Sequence, residues 1–177
     1  MRGARWVLGL LASILMICSN ASSQDRTPVQ VRSSFHFELS VPLARAAPLF
    51  GPEGERCWAG EQWNPEFVYP QPGRDIEGAV FTIQHGTHKS VWVNTLFDLA
   101  AGRMQYVSFI PDVLVSTIEV RLTALNPTST RVDVTYIRTA LSADANDHVQ
   151  VLAANSGTSG KEWKKAIQEC LERGRSE

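Results

Sequence analysis

Between Val29 and Val41 the chain alternates, with Phe35, Phe37 and Leu39 on one side and Ser34, His36 and Glu38 on the other. A period of two marks a strand with one face covered. The following "PLARAAPLF" suits a short helix, with Pro42 tolerated in its first turn and Pro48 near its end. Gly51 to Pro70, "GPEGERCWAGEQWNPEFVYP", then breaks every period until its last residues, and reads as a loop unusually rich in bulky side chains. Further strands are predicted at "EFVYP", "AVFTIQH", "SVWVNTLFD", "MQYVSFIP", "LVSTIEVRLTAL" and "RVDVTYIRTAL", separated by short turns such as "HGTHK", "LAAGR", "IPDV" and "NPTST". Connections that short make neighbouring strands antiparallel.

The alternation is sharpest in the last two strands. Ile118, Val120 and Leu122 oppose Glu119, Arg121 and Thr123, while Val132, Val134 and Tyr136 oppose Arg131, Asp133 and Thr135. One face of the sheet therefore meets water and the other an apolar partner. That partner arrives at the end of the chain, where His148, Leu152, Trp163, Ile167, Cys170 and Leu171 recur at helical spacing. "NSGTSG", Asn155 to Gly160, predicts a turn between two helices. The order of elements gives an α+β domain with its helices on one face of an antiparallel sheet of about seven strands.

Residues 1–23 change the picture, because Arg2 and Arg5, an apolar run from Trp6 to Cys18 and then small residues have the layout of a secretory signal peptide. Cleavage is expected before Gln24, with Ala21 and Ser23 at the small-residue positions. The apolar run is shorter than the roughly 20 residues that cross a bilayer, so no stable membrane insertion is expected after cleavage. Ile17 before Cys18 speaks against a lipidated cysteine. Residues 24–177 then form a single domain.

A formal net charge of −1 and the lack of a basic block before "KEWKK" exclude an electrostatic case for nucleic acid. Export would place Cys57 and Cys170, the two cysteines of the mature chain, in an oxidising compartment. They are either bridged, closing a loop of more than 100 residues and stabilising by about 4 to 5 kcal/mol in the chain-entropy picture, or separate thiols packed as small apolar groups.

The stretches "PLFGPEGERCWAGEQWNPEFVYP", "GAVFTIQHG", "VWVNTLFD" and "VTYIRTALSADAND", followed by a terminal helix with "EWKKAIQECL", carry a resemblance over Phe35 to Gly174. The chain resembles the START-like superfamily, also called SRPBCC or Bet v 1-like, and within it the uncharacterised bacterial proteins related to polyketide cyclases and dehydrases. The resemblance implies a helix-grip fold, in which a curved sheet wraps a long C-terminal helix and leaves a cavity between them. Short helices after the first strand close one end of that cavity and support the end of the terminal helix. That arrangement brings Cys57 and Cys170 near each other and leaves a bridge and two separate thiols equally open. Two features depart from the family pattern: the signal peptide, and "NSGTSG" in place of continuous helix.

On this fold Trp58 and Trp63 sit at the cavity mouth or plug the base of the domain as core. Phe81, Ile83, Trp92, Tyr106, Val120, Val134 and Tyr136 are the expected lining, with Tyr69 and Trp163 added from the loop and the final helix. Motifs for catalysis are absent: the chain has no GxSxG, no phosphate-cradling glycine loop and no Cys-x-x-Cys. His85 and His88 in "HGTH" lack the further ligands that zinc needs and read as solvated turn residues. No cofactor and no metal are expected.

Two functions follow from the resemblance. One is an exported, non-enzymatic binder whose partner is a small hydrophobic or amphipathic molecule, a lipid or an aromatic compound. The other is an enzyme of the polyketide cyclase or hydrolase kind, whose signature would be titratable side chains turned inward. Arg138, Glu66, Tyr69 and His36 are the candidates. His36 and Glu38, opposite Phe35, Phe37 and Leu39, are expected to face outward.

Overall fold

The computed structural model describes residues 27–86 and 88–174, so the expected signal peptide lies outside the described residues. Strand β1 (Gln30–Leu39) is followed by a helical turn α1 (Leu43–Ala46), a 3-10 turn (Ala47–Phe50) and a second helical turn α2 (Pro52–Glu55). Six strands come next: β2 (Glu66–Tyr69), β3 (Val80–His85), β4 (His88–Asp98), β5 (Arg103–Ile110), β6 (Leu114–Asn126) and β7 (Ser129–Ala140). Helices α3 (Asn146–Ala154) and α4 (Ser156–Arg173) end the described chain.

All seven strands form one sheet in the order β1-β7-β6-β5-β4-β3-β2, with every pairing antiparallel. Consecutive strands from β2 to β7 are neighbours, as short turns demand. The single long connection, through α1 and α2, carries the chain from one edge strand to the other. Register shifts between Asn94 and Leu96 and between Ala124 and Asn126 are bulges, which bend and twist the sheet around its apolar face.

That face holds the core predicted by alternation: Phe37, Leu39, Val120, Leu122, Val132 and Val134 are all buried, and Met104 of β5 joins them. Ile167, Cys170 and Leu171 of α4 pack onto it, together with Ala46, Ala47 and Phe50 from the short helices. Helix α3 covers a smaller cluster of Leu114, Ala140, Ala145 and Val149. Its Asn146 pins the start of the chain, since the side-chain oxygen accepts from Val29 N at 3.0 Å and the amide donates to Thr27 O at 3.1 Å.

The expected turn over Asn155 to Gly160 requires correction. The break is confined to Asn155, and residues 156–160 are the opening turns of α4. Ser159 N donates to Asn155 O at 3.1 Å, which is already a helical bond. The glycine serves packing instead of a turn: a Cβ at Gly160 would meet Phe35 Cδ2 at 2.9 Å, so a side chain there would hold α4 away from β1. Cys57 and Cys170 are joined in a disulfide with Cα atoms 5.7 Å apart, fastening the loop after α2 to the end of α4. Arg173 Nη2 adds a donor to Cys57 O at 2.7 Å.

Candidate functional site

Between α4, the inner face of the sheet and the loop after α2 lies a cavity of about 340 Å³. Its construction starts at α2, whose first amides would otherwise be unpaired. Asp75 caps them, accepting from Glu53 N at 2.8 Å and Gly54 N at 3.2 Å. Gly51 makes this approach possible, because a Cβ there would fall 2.2 Å from Asp75 Oδ2. With α2 fixed, Glu55 and Trp58 come to one side of the turn, three residues apart, and both line the cavity.

Three of the surrounding indoles are locked by their own N–H groups. Trp58 Nε1 donates to Leu49 O at 2.6 Å, Trp63 Nε1 to Pro52 O at 2.9 Å and Trp92 Nε1 to Ser90 Oγ at 2.8 Å. Their polar edges are therefore spent on the protein and their rings remain for the cavity. Trp58 meets Trp163 of α4 with ring centroids 4.9 Å apart, and Trp63 meets Trp92 edge-on at 5.4 Å. Tyr106, Ile118, Val120 and Tyr136 complete the sheet side, and Glu162 and Ala166 the helix side.

Glu55 is the one deeply buried carboxyl of this wall, 8 % exposed. Burial first, and the negative charge of Asp75 second, hold it well above the usual carboxylate range. Burial pushes Asp75 itself up, against the two backbone amides that pull it down. Tyr106 donates its hydroxyl to Phe50 O, and its acidity is weakened by burial and then by Glu55 and Asp75. Tyr136 is likewise pushed up by burial and by Glu55, opposed by Arg138. Arg138 lies behind it, with its guanidinium carbon 3.9 Å from the Tyr136 ring centroid and Nη1 donating to Ser33 Oγ at 3.1 Å. Burial lowers the Arg138 pKa.

Toward α3 the cleft continues as a second lobe of about 520 Å³. Trp92, Ile118 and Tyr136 border both lobes, while Ser108, Ser116, His148 and Leu152 belong to the second. Volumes in this range suit small-molecule sites, for which about 300 to 1,000 Å³ is usual.

Of the residues expected to bind a ligand, Trp58, Trp63, Trp92, Tyr106, Val120, Tyr136 and Trp163 line the first lobe. Four do not and are corrected. Phe81, Ile83 and Val134 are fully covered by other side chains, Phe81 standing behind Trp63 and Trp92 with centroids at 6.1 and 5.8 Å. Alternation placed them on the right face but could not tell wall from foundation. Tyr69 is 59 % exposed, because a register shift between Phe67 and Tyr69 on edge strand β2 turns it to solvent. Among the candidates for catalysis, His36 and Glu66 are also exposed, and only Arg138 turns inward. Glu55 escaped sequence reasoning; its only signal was the spacing to Trp58. Among the described residues no three His, Cys, Asp or Glu side chains converge on a metal position.

Solved structures share this architecture. A norcoclaurine synthase point mutant from Thalictrum flavum, in complex with a transition-state analogue, superposes with a TM-score of 0.62 at 10% identity, covering 84% of this chain and 99% of that one. The chain has the Bet v 1-like helix-grip fold. Ara h 8.0201 shares that helix-grip fold with a TM-score of 0.60 at 15% identity, over 81% of this chain and 99% of its own. An uncharacterised Rhizobium leguminosarum protein matches at a TM-score of 0.55 and 14% identity, over 81% and 99%. No protein-family model and no curated protein sequence matches the chain. Identities this low establish the helix-grip fold and leave the chemistry to the site itself.

Proposed function

We propose that the protein binds a small molecule with an aromatic or compact apolar body in the cavity between sheet and α4. The carrying observation is the wall of four tryptophans around about 340 Å³, three of them with indole N–H groups already bonded to the protein. Such a wall offers ring faces and apolar area, and few directional polar groups. Among the described residues no helix is long and apolar enough to cross a membrane. We further propose that the protein is exported, on the layout of residues 1–23 and the disulfide between Cys57 and Cys170. The helix-grip neighbours support the binding reading, since one is a structure of norcoclaurine synthase with dopamine and hydroxybenzaldehyde bound.

Native mass spectrometry of protein expressed with its leader, followed by denaturation and extraction, tests both parts. A mature chain starting at Gln24 and carrying a reproducible small-molecule adduct is the expected result. A chain retaining Met1 in the cytoplasmic fraction would overturn export. An interior that takes up no apolar or aromatic compound in thermal-shift and tryptophan-quenching screens would overturn binding.

One observation favours a second reading, that of an enzyme. A buried carboxyl with a raised pKa beside a cavity is a candidate proton donor, and Glu55 fits that description. Glu55→Gln separates the two: unchanged binding with lost turnover of a bound compound marks catalysis.

A further inference from the structure

We infer that the ligand of the first lobe carries a protonated amine, seated at the Glu55 carboxyl with its body between the tryptophans. The inference rests on the binding reading above and names the chemical class of its ligand. Four observations converge on it. Glu55 lines the cavity at 8 % exposure, and among the described residues its side chain has no hydrogen-bond or ion-pair partner. Among the described residues no lysine, arginine or histidine lines this lobe. Arg56, next to Glu55 in the chain, binds Glu53, Asn64 and Pro65 O, and Arg138 is held behind Tyr136 by Ser33. The remaining acids, Asp75 behind Glu55 and Glu162 in the lobe wall, add negative potential and no cation.

A lone carboxyl in such a place is costly when charged, and the empty cavity biases it toward its protonated form. An entering ammonium restores its charge and gives it the missing partner, as a charge-assisted hydrogen bond. The ring faces add to the preference. Trp58, Trp63, Trp92 and Trp163 line the lobe, and an indole attracts an organic cation to its electron-rich face. An anion finds nothing here to neutralise it.

Binding by this route releases the Glu55 proton. Asp75, Tyr106, Tyr136 and Glu162 are the titratable groups facing it from α2's cap, the sheet and α4. Below the pKa of empty-site Glu55, amine affinity rises about tenfold per pH unit, and above it the affinity levels.

The test uses matched probes on the oxidised, mature protein: an ethylamine, an ethanol and an acetate, each on phenyl, indolyl and naphthyl bodies, measured by calorimetry with tryptophan quenching. The expected result at pH 8 is at least tenfold tighter binding of amine than of alcohol on the best body, and no binding of acetate. Calorimetry at lower pH in buffers of different ionisation enthalpy then reads one proton released per amine. Glu55→Gln, a near-isosteric change, abolishes the amine advantage while alcohol binding persists, which also shows that the variant is folded. Equal binding of amine and alcohol, or tighter binding of acetate, overturns the amine assignment and leaves the cavity reading standing. Failure of every probe on all three bodies overturns both.

Discussion

At the scale of single residues, the two loop tryptophans that stand out in the sequence have different work. Trp58 is 6 % exposed, packs edge-on to Phe50 at 6.0 Å and against Trp163, and is bonded to Leu49 O. Trp58→Ala is expected to cost about 3 to 5 kcal/mol in denaturant unfolding, as for other large buried aromatics. Trp63 is only half-buried, so Trp63→Ala should cost markedly less stability and instead weaken ligand binding, measurable by quenching of the remaining tryptophans. Glu55 gives a prediction of opposite sign. Its folded pKa lies above the unfolded one, so its contribution is fully present below the unfolded value and is lost as pH rises through the folded value. In the empty protein Glu55→Gln removes that loss, and its stability relative to the parent should climb as pH rises above the ordinary carboxylate range, by up to about 1.4 kcal/mol per pH unit, until it levels above the folded value. A variant less stable than the parent at pH 8 would show that Glu55 is paired after all. Side-chain bulk is visible in a sequence, and so the tryptophans could be found. A buried charge is a property of three-dimensional surroundings, and nothing in "PEGE" distinguishes Glu55 from exposed Glu53.

At the scale of elements, strand alternation was legible almost residue by residue in β1, β6 and β7, because one wet and one dry face impose a strict period of two. The opening of α4 was not, because glycine is ambiguous. It signals a turn when freedom of backbone is needed and a close contact when absence of side chain is needed. Gly157 and Gly160 separate the cases within one helix. Nothing lies within 4 Å of a Cβ placed on Gly157, whereas one on Gly160 meets Phe35 at 2.9 Å. Gly157→Ala should therefore stabilise by about 0.5 to 1 kcal/mol through helix propensity. Gly160→Ala gains the same propensity but must shift Phe35 or α4, and overpacking of this kind costs about 1 to 3 kcal/mol, so net destabilisation is expected. Parallel urea titrations of the two variants check the pair, and equal shifts in one direction would mean that α4 does not rest on Phe35 through Gly160.

At the scale of the whole molecule, the fold has a weakness and a device that meets it. Edge strands β1 and β2 are connected along the chain through α1, α2 and a loop of irregular backbone, and the cavity lies between that loop, the sheet and the middle turns of α4. A cavity weakens a core by the contacts that its walls lack, so this end has less packing to hold it. The Cys57–Cys170 bond spans that junction, closing a separation of 113 residues. Chain entropy for such a loop gives about 4 to 5 kcal/mol. The Cys57→Ser/Cys170→Ser variant should accordingly unfold at much lower denaturant than the oxidised parent, and thiol treatment of the parent should reproduce the shift. Trp58 follows Cys57 directly and Glu55 precedes it by two residues, so release of the bond also frees the cavity wall. Ligand affinity should fall in the reduced protein even under conditions where its circular dichroism shows the sheet intact. Loss of stability without loss of affinity would mean that the Asp75 cap on α2 and the indole hydrogen bonds hold the wall by themselves, and that the disulfide acts only on the unfolded chain.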